Sequence, residues 1–545
     1  MTTESEPAGD KPAAKPAETG GLLLDLYLKL KQALGLPTGT RFTLYWHLSS
    51  TLAGFLVAAG LIFLDPFDLD RGISAQGRSI FYKVASFAYP QGQSHAVVVL
   101  LDDDYLRLGS PDGAPMTWPV RYGAHAEALR YMAKSGARAI FIDFFFLDRR
   151  EDPELQDLLD AMRDVAEEIP IFLAAPLRGA GSRARPEIEQ LVDENPNISF
   201  VTVRDGSDLG QGAAYPMIPF KETNDLEVPA NLKDAEEQAP SSEQEIILPA
   251  AVALARDYCR PSCNIRDSGA EMDIWWAAPR GEFNCRGEEA RGICDDLPHS
   301  WIVRAFQVLT SALLQPLPPD MRWLIDPIKV PYTSTIGLLD LVNAKASWAH
   351  EALRGATVFY GGGVSFAGDV KENPVNERLA GVYTHAMAYD NLVALNGRYI
   401  QAGPPFGWHN KTHVIALTGL LALLALITRV YFTLRRPRAF LPRMILHDPE
   451  RRARRLGAMD AGVFFTGALL IAVFEFFVGH IGPGAWAPVL VAATAGDLLS
   501  SRLLTAPVLG RLSGYSRLVG GAGRRLHLRR KREKAAVRAA RARPT

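Results

Sequence analysis

Cysteine is scarce in this chain: its 545 residues include four cysteines, and all four lie between positions 259 and 294. This excludes a fold that is held by disulfide bonds along its whole length. Cys259, Cys263, Cys285 and Cys294 favour two local disulfides, which an oxidising compartment would permit, although the sequence does not reveal the pairing. A zinc site is the alternative, but the spacing C-x3-C followed by C-x8-C fits the usual zinc patterns only loosely.

Sequence signatures of several protein classes are also missing. There is no repeat of about 20 to 50 residues, which excludes a solenoid or a propeller. No motif as specific as HExxH is present, so metal-dependent hydrolysis has little support. The basic segments 435–460 and 500–545 are too short for a kinase or cyclase fold and lack the glycine-rich and metal-binding motifs of those enzymes. We therefore expect that the chain is not an enzyme and holds no cofactor or metal.

The formal net charge of −1 at pH 7 conceals an uneven distribution of charge. Residues 65–411 carry 49 acidic and 32 basic side chains, whereas residues 501–545 carry 1 acidic and 13 basic side chains. An acidic middle and a basic end indicate two different environments rather than one.

Long apolar runs predict four transmembrane helices, at residues 42–64, 412–434, 461–479 and 482–499. The first run has 23 residues without an acidic or basic side chain apart from His47, enough to cross a hydrocarbon core of about 30 Å. It is too long, and too far from Met1, for a cleaved signal peptide. In the second run, Arg429 is close enough to one end for its side chain to reach the interface. The fourth run contains Pro488 and Asp497 and is the weakest candidate.

Basic residues beside the spans predict the orientation, because arginine and lysine near span ends are retained on the cytoplasmic side. The loop 435–460 and the tail 500–545 are rich in arginine, so both are predicted to be cytoplasmic together with segment 1–41. Residues 65–410 then form a periplasmic domain of a multi-pass protein of the bacterial inner membrane. We expect the loop and the tail to contact membrane lipids or a cytoplasmic protein. The tail lacks interleaved aromatic residues, so nucleic acid is not an expected partner, and the sequence leaves homo-oligomerisation open.

The periplasmic segment alternates continuous apolar runs with amphipathic helical patterns. HAVVVLLD, ARAIFIDFFF, IPIFLAAP and ATVFYGGG are typical of buried strands, and RYGAHAEALRYMAKSG, PELQDLLDAMRDVAEE and RLAGVYTHAMAYDNLVALNG are typical of helices. This alternation predicts an α/β domain with a mostly parallel sheet flanked by helices. The pattern is lost between about residues 178 and 300, which we interpret as an insertion that carries the four cysteines.

Acids and glycines cluster at three of the predicted strand ends: LLDDD, FIDFFFLD and FYGGGVSFAGD. Because ligands lie beyond the carboxyl ends of the strands in an open parallel sheet, Asp102, Asp143 and the loop 361–369 are predicted to converge on one cleft. Arg121, at the start of the helix after the first strand, and His385, in the last helix, are polar groups that could face it.

Each of these residues also has a structural interpretation. A carboxylate such as Asp102 or Asp143 often caps a helix or forms a turn. The GGG run could cradle a phosphate with its N–H groups, but the lysine and Ser/Thr of a P-loop are missing. His385, in an apolar helix, is more often a hydrogen-bonded core residue. Asp102, Asp143 and His385 could instead hold a divalent metal, which is the basis of a rival interpretation as a periplasmic enzyme.

The run VVVLLDDDYLRLG…TWPVRYGAHAEALRYMAKSGARAIFIDFFF, followed much later by LRGATVFYGGGVSFAGDVKENP and LAGVYTHAMAYDNLV, resembles the second type of the CHASE extracellular sensor family. The resemblance covers residues 65–410 in two blocks, with 178–300 unmatched. Positions that match the family pattern are Asp102 and Asp103 at the first strand end, Trp118, Pro119 and Arg121 in a W-P-x-R element, Asp143, and the late positions Gly361, Gly362, Asp369, Gly381 and His385. The ligands of the family are largely undefined, so these residues are ligand-binding candidates and not known binding residues.

The resemblance implies a membrane-anchored sensory receptor whose periplasmic domain binds a small ligand or an envelope partner. Binding would shift the first and second spans relative to each other and pass the signal to a separate cytoplasmic protein. Family members usually carry a cyclase or kinase module after the spans, and this chain departs from that pattern. A structural or assembly component of an envelope complex is therefore a second rival interpretation.

Overall fold

The computed structural model describes residues 38–64, 69–90, 95–109, 115–147, 150–176, 184–203, 214–217, 220–221, 246–259, 265, 271–278, 331–342, 347–366, 369–402, 408–435, 449–478, 480 and 486–495. They divide into two compact units. The α/β unit lies within Asp68–Gly407 and Leu470–Ala487, and the helical unit lies within Met1–Phe67, Trp408–Leu469 and Pro488–Thr545.

The described helices and strands are as follows. The helices are α1 (Thr38–Leu64), α2 (Leu69–Ala85, followed by the 3-10 turn Ser86–Ala88), α3 (Asp103–Leu108), α4 (Tyr122–Lys134), α5 (Leu155–Ala166), α6 (Pro186–Glu194), α7 (Ala250–Tyr258), α8 (Leu338–Val342), α9 (Ser347–Leu353), α10 (Val382–Ala394), α11 (Trp408–Arg435), α12 (Pro449–Phe477) and α13 (Trp486–Ala495). The strands are β1 (Ala96–Leu101), β2 (Ala139–Asp143), β3 (Ile171–Ala175), β4 (Ile198–Thr202), β5 (Ala214–Tyr215), β6 (Phe220–Lys221), β7 (Ile246–Ile247), β8 (Met272–Asp273), β9 (Ser334–Gly337), β10 (Thr357–Gly362), β11 (Val370–Asn373) and β12 (Glu377–Ala380).

Six strands form one sheet in the order β4-β3-β2-β10-β1-β9, and every neighbouring pair is parallel. The strand β10 lies between β1 and β2, where Ala96 is opposite Thr357 and Asp143 is opposite Gly361. Helices cover both faces of such a sheet, which explains why its strands are continuous apolar runs. The predicted α/β class and the mostly parallel sheet are confirmed.

Successive residues of each strand point toward two different helix layers, as the pleat requires. On one face, Val99 and Ile142 belong to the large buried core that also contains residues of α4, α5, α6, α8 and α9. On the other face, Phe141 contacts His385 of α10 with ring centroids 5.4 Å apart, and Phe359 contacts Tyr389 at the same separation. Because both faces are covered, polar groups of the strands can reach solvent only at the ends of the sheet.

Part of the predicted insertion at 178–300 belongs to the sheet and its helix layers. The helix α6 and the strand β4 follow β3, and Ile198 of β4 pairs with Ile171 of β3 at the edge of the sheet. The helix α7 packs beside α10 on the opposite face. The sequence pattern hides β4 because an edge strand is partly exposed, so ISFVT lacks a continuous apolar run.

The structure describes one of the four cysteines. Cys259 is buried directly after α7. Cys263, Cys285 and Cys294 lie outside the described residues, so the disulfides stay a prediction.

Two of the described helices are long and apolar enough to cross a membrane, namely residues His47–Leu64 of α1 and Thr412–Tyr431 of α11. They correspond to the first two predicted spans. The apolar part of α12 is Ala461–Phe477, and α13 covers Trp486–Ala495. Both are shorter than the roughly 20 residues that a membrane-crossing helix needs. The third and fourth spans therefore stay predictions, and residues 496–499 of the fourth lie outside the described part of the chain.

Arg429 is buried inside the helical unit, whereas the sequence predicted that its side chain would reach the interface. Its guanidinium donates hydrogen bonds to the hydroxyls of Ser50 and Thr51 on α1, both at 3.2 Å. The two helices can approach closely because Gly419 of α11 leaves room for Phe55; a Cβ at that glycine would lie 3.2 Å from the ring. Buried partners of this kind replace the water that an arginine would otherwise need.

Candidate functional site

A cleft of about 760 Å³ opens at the carboxyl ends of β2 and β10. Its walls come from the segments after these strands, from the β11–β12 hairpin and from the first turn of α10. Seven residues that the sequence singled out line it: Trp118, Pro119, Asp143, Gly362, Asp369, Gly381 and His385. The carboxyl edge of an open parallel sheet is the usual position of a ligand site, so the geometry agrees with the predicted convergence of strand ends.

Asp143 is the last residue of β2 and faces the cleft. Burial, and to a smaller extent the nearby Asp369 carboxylate, together raise the pKa of Asp143 to about 8 against the opposing effect of Lys371. Within the described part of the chain, the Asp143 carboxyl has no hydrogen-bond or ion-pair partner. At neutral pH it is therefore mostly protonated and can donate a hydrogen bond to a molecule in the cleft.

His385 reaches the cleft from α10 and is held by a tyrosine. Its Nδ1 lies 2.8 Å from the hydroxyl of Tyr215, and the same hydroxyl accepts a hydrogen bond from the N–H of Ala251 at 3.0 Å. Since that oxygen already accepts one hydrogen bond, its own proton favours donation to Nδ1. His385 is thus a buried, hydrogen-bonded part of the wall, as the structural interpretation of the sequence proposed for it.

A second histidine, His125 of α4, lines the cleft in the same manner. Its Nδ1 lies 3.0 Å from the hydroxyl of Tyr360, and its ring packs edge-on against Phe144 with centroids 4.9 Å apart. Burial, and to a smaller extent the nearby Arg150, together lower the pKa of His125 to about 3 against the opposing effect of Asp152. The ring is therefore neutral at physiological pH and adds no charge to the cleft.

The two acids after β1 lie outside the cleft lining. The Asp102 carboxylate caps α3, because its Oδ1 accepts a hydrogen bond from the N–H of Tyr105 at 2.9 Å. Burial raises the pKa of Asp102. Asp103 accepts from the N–H of Ser365 at 3.3 Å and so ties α3 to the segment after β10. Both acids therefore stabilise local structure next to the cleft and do not line it.

Arg121 and Gly361 also lie outside the lining. Arg121 precedes α4, is exposed, and forms an ion pair with Glu154 at 3.5 Å. Gly361 is a buried residue of β10 that lies against Val382 of α10. Among the described residues, no group of three His, Cys, Asp or Glu side chains could hold a metal ion. The set of Asp102, Asp143 and His385 is therefore not brought together as a metal site.

The glycines that end β10 allow close packing of the strand. A Cβ at Gly361 would lie 2.7 Å from Cβ of Val382, and a Cβ at Gly363 would lie 2.5 Å from the Leu100 side chain. A Cβ at Gly362 would instead have ordinary contacts, 3.5 Å from Phe144 and 3.7 Å from Trp118. Gly361 and Gly363 are thus needed for close packing of the strand, whereas Gly362 has room for a Cβ.

Replacing Gly361 by alanine is expected to lower the free energy of unfolding by about 1–3 kcal/mol, because Val382 and α10 must move away from β10. The Gly362→Ala variant is the matched control and is expected to be nearly neutral, since its Cβ fits. Urea unfolding of both variants measures the difference. Equal effects at the two positions would contradict the packing explanation.

The sequence analysis did not single out several charged residues of the cleft. Arg150, Lys371 and Arg378 all line it. Lys371 and Arg378 lie on the hairpin VKENPVNERLA, whose strands β11 and β12 pair antiparallel. The Asn-Pro turn signal in that segment could have identified the hairpin, but no local pattern indicates that it folds over the end of the sheet.

Comparison with known proteins identifies the family. No curated protein and no solved structure was found to match the chain. The CHASE2 domain family matches residues 51–427, more than half of the chain. Domains of this type are sensor domains, typically extracellular ones on membrane proteins. The chain belongs to the CHASE2 domain family.

Proposed function

We propose that the chain is a membrane-anchored sensory receptor whose α/β unit binds a small ligand in the cleft at the carboxyl ends of β2 and β10. The observation that carries this proposal is the cleft itself, about 760 Å³ at the carboxyl edge of the sheet in a sensor-domain family. Pockets for small molecules usually measure about 300–1,000 Å³ and combine apolar walls with a few polar groups. Asp143 and the hydrogen-bonded histidines supply such groups here.

The ligand signal reaches the membrane through the end of α12. Support comes from the apolar packing of Phe476, whose ring centroid lies 4.7 Å from that of Trp275 and 5.2 Å from that of Phe81. The indole N–H of Trp486 donates to the carbonyl of Gly77 on α2 at 3.2 Å. These contacts join residues Leu470–Ala487 to the α/β unit, so a change in the α/β core is able to move α12.

The receptor resides in the bacterial inner membrane with the α/β unit in the periplasm. Support comes from the acidic character of residues 65–411 and from the arginines of the loop 435–460 and the tail 500–545. In this orientation the four cysteines lie in an oxidising compartment, where disulfides persist. The loop and the tail contact anionic lipids and pass the signal to a separate cytoplasmic protein.

Filling the cleft tests the proposal. Leucine at position 362 projects beyond the Cβ that fits and occupies the space beside Phe144 and Trp118, whereas alanine adds only that Cβ. The full chain in lipid nanodiscs is screened against amino acids, nucleotides, sugars, amines and aromatic acids by thermal unfolding. At least one compound is expected to raise the unfolding temperature of the wild type, with a smaller effect in Gly362→Ala and none in Gly362→Leu.

The unfolding temperature of the ligand-free variants serves as the control for folding. If Gly362→Leu folds normally and responds to every compound as the wild type does, the cleft is not the ligand site. If no compound acts and a protein partner binds instead, the assembly interpretation replaces the receptor.

A further inference from the structure

The charges that line the cleft are not all equally available to a ligand. The Asp369 carboxylate lies against Gly381 at the N-terminus of α10, where a Cβ on that glycine would be 2.5 Å from both carboxylate oxygens. The positive end of the helix dipole therefore compensates this acid. Arg150 is likewise occupied: it donates to the carbonyls of Pro119 and Val120 and lies 3.5 Å from the Asp152 carboxylate.

The β11–β12 hairpin adds two cations to the same cleft. Arg378 lines the cleft, is exposed, and forms no ion pair or side-chain hydrogen bond with any residue whose side chain the structure describes. Its register partner on β11, Glu372, is not part of the cleft lining. Lys371 is close enough to Asp143 to lower the pKa of that carboxyl. With Asp143 mostly protonated at neutral pH, the hairpin leaves the cleft with an excess of positive charge.

Aromatic rings, including those of Trp118 and Phe144, also line the cleft. Trp118 is 37% exposed and lies edge-on to Phe366, which is 63% exposed, with centroids 6.3 Å apart. Trp118 and Phe144 flank the position of Gly362, where a Cβ would contact the two rings at 3.7 and 3.5 Å. Aromatic side chains that line a cleft, one of them partly exposed, are suited to stacking with a flat ring.

We propose that the cleft takes a small organic anion with a flat aromatic ring, bound with the ring beside Trp118 and Phe144 and the acidic group at Arg378 and Lys371. This inference rests on the proposed function, since it names the ligand class of the same cleft. The planar guanidinium of Arg378 suits a carboxylate or another oxyanion because it can form two parallel hydrogen bonds.

Four matched probes test the ligand class on the full chain in nanodiscs of neutral lipid: 2-naphthoate, 2-naphthamide, 2-naphthylmethylamine and cyclohexanecarboxylate. Isothermal titration calorimetry at neutral pH measures binding, with empty nanodiscs as the control for partition into lipid. We expect 2-naphthoate to bind about tenfold more tightly than the amine, the neutral amide and the non-aromatic acid, because only it supplies both a flat aromatic ring and an acidic group.

Two variants separate the contact from general charge effects. Arg378→Gln is expected to weaken 2-naphthoate about tenfold and to leave the amide unchanged, which corresponds to the loss of one charge-assisted contact. Arg354→Gln, an exposed arginine outside the cleft, removes the same charge and is expected to leave both affinities unchanged. Trp118→Ala is expected to weaken the acid and the amide alike.

The outcomes distinguish this inference from the proposed function. If the amine binds as tightly as 2-naphthoate and Gly362→Leu abolishes both, the ligand class is wrong and the ligand cleft stands. If 2-naphthoate binds Gly362→Leu as well as the wild type, or if no probe binds up to about 10 mM, the inference is overturned. Equal losses in Arg378→Gln and Arg354→Gln would also overturn it.

Discussion

Replacing Arg78 by methionine is expected to lower the free energy of unfolding of the α/β unit by about 3–5 kcal/mol, one of the two largest effects that we expect. Arg78 on α2 lies 3.6 Å from the carboxylate of Asp273 on β8, and the Asp273 side chain is completely buried. Methionine keeps much of the side-chain volume but leaves this carboxylate without its cation. The free energy lost when a buried charge loses its partner is much larger than the free energy that the intact pair contributes to folding.

The cost of Arg78→Met is expected to depend on pH. Burial raises the pKa of Asp273, and the Arg78 guanidinium offsets part of that rise. Without Arg78 the pKa rises further, so the folded state binds more protons than the unfolded state above about pH 4. The free energy of unfolding of the variant therefore falls as the pH rises through this window. Urea unfolding at about pH 5 and about pH 8, followed by tryptophan fluorescence, measures the slope.

A second substitution controls for the loss of packing at position 78. In the double variant Arg78→Met with Asp273→Asn, no carboxylate at position 273 is left without a cation. Part of the lost stability is therefore expected to return, and the extra pH dependence that Arg78→Met adds to that of the wild type is expected to disappear. If the double variant is less stable than Arg78→Met at every pH, the ion pair does not account for the effect.

Replacing Phe476 by alanine is expected to cost about 3–5 kcal/mol in the same measurement. Phe476 is fully buried, and its ring packs against Phe81, Tyr82 and Trp275 within the α/β unit. Its removal leaves a cavity among large rings that cannot collapse to fill it. Under the proposed function, the same variant is also expected to stop a ligand of the α/β unit from changing the state of the loop 435–460.

Phe474 provides the matched control because it lies on the same helix and is 64% exposed. Phe474→Ala is expected to change the free energy of unfolding by less than about 0.5 kcal/mol. The comparison also tests the span predicted at 461–479. If both phenylalanines face lipid, the two variants will be equally stable and the packing of Phe476 described above is wrong.

Much of the fold could be predicted because its signals are local. The strands β1, β2, β3 and β10 are continuous apolar runs, and helices on both sides follow from that pattern. The end of α4 could also be predicted from the glycine at position 136. Gly136 adopts a φ of 82° just after the helix, a conformation that favours glycine. The strand β4 was missed because it is short and partly exposed at the edge of the sheet.

The candidate site was predicted less completely, for a physical reason. Asp143 lies in the cleft because the side chain at the end of a central strand emerges at the edge of the sheet, a rule that depends only on local sequence. Arg121 and Asp102 are also near strand or helix ends, yet one pairs with Glu154 and the other caps α3. The direction of a side chain after the strand depends on the turn that follows, which local patterns do not reveal.

The sequence by itself determined the class of the protein, since apolar periodicity, charge asymmetry and the CHASE-type motifs need no knowledge of distant contacts. Tertiary structure alone decided what surrounds each group: the hairpin that brings Arg378 to the cleft and the tyrosine that holds His385. The tertiary structure also decided that Phe476 packs against protein. The sequence could not, because an apolar run has the same pattern whether its side chains contact lipid or aromatic rings.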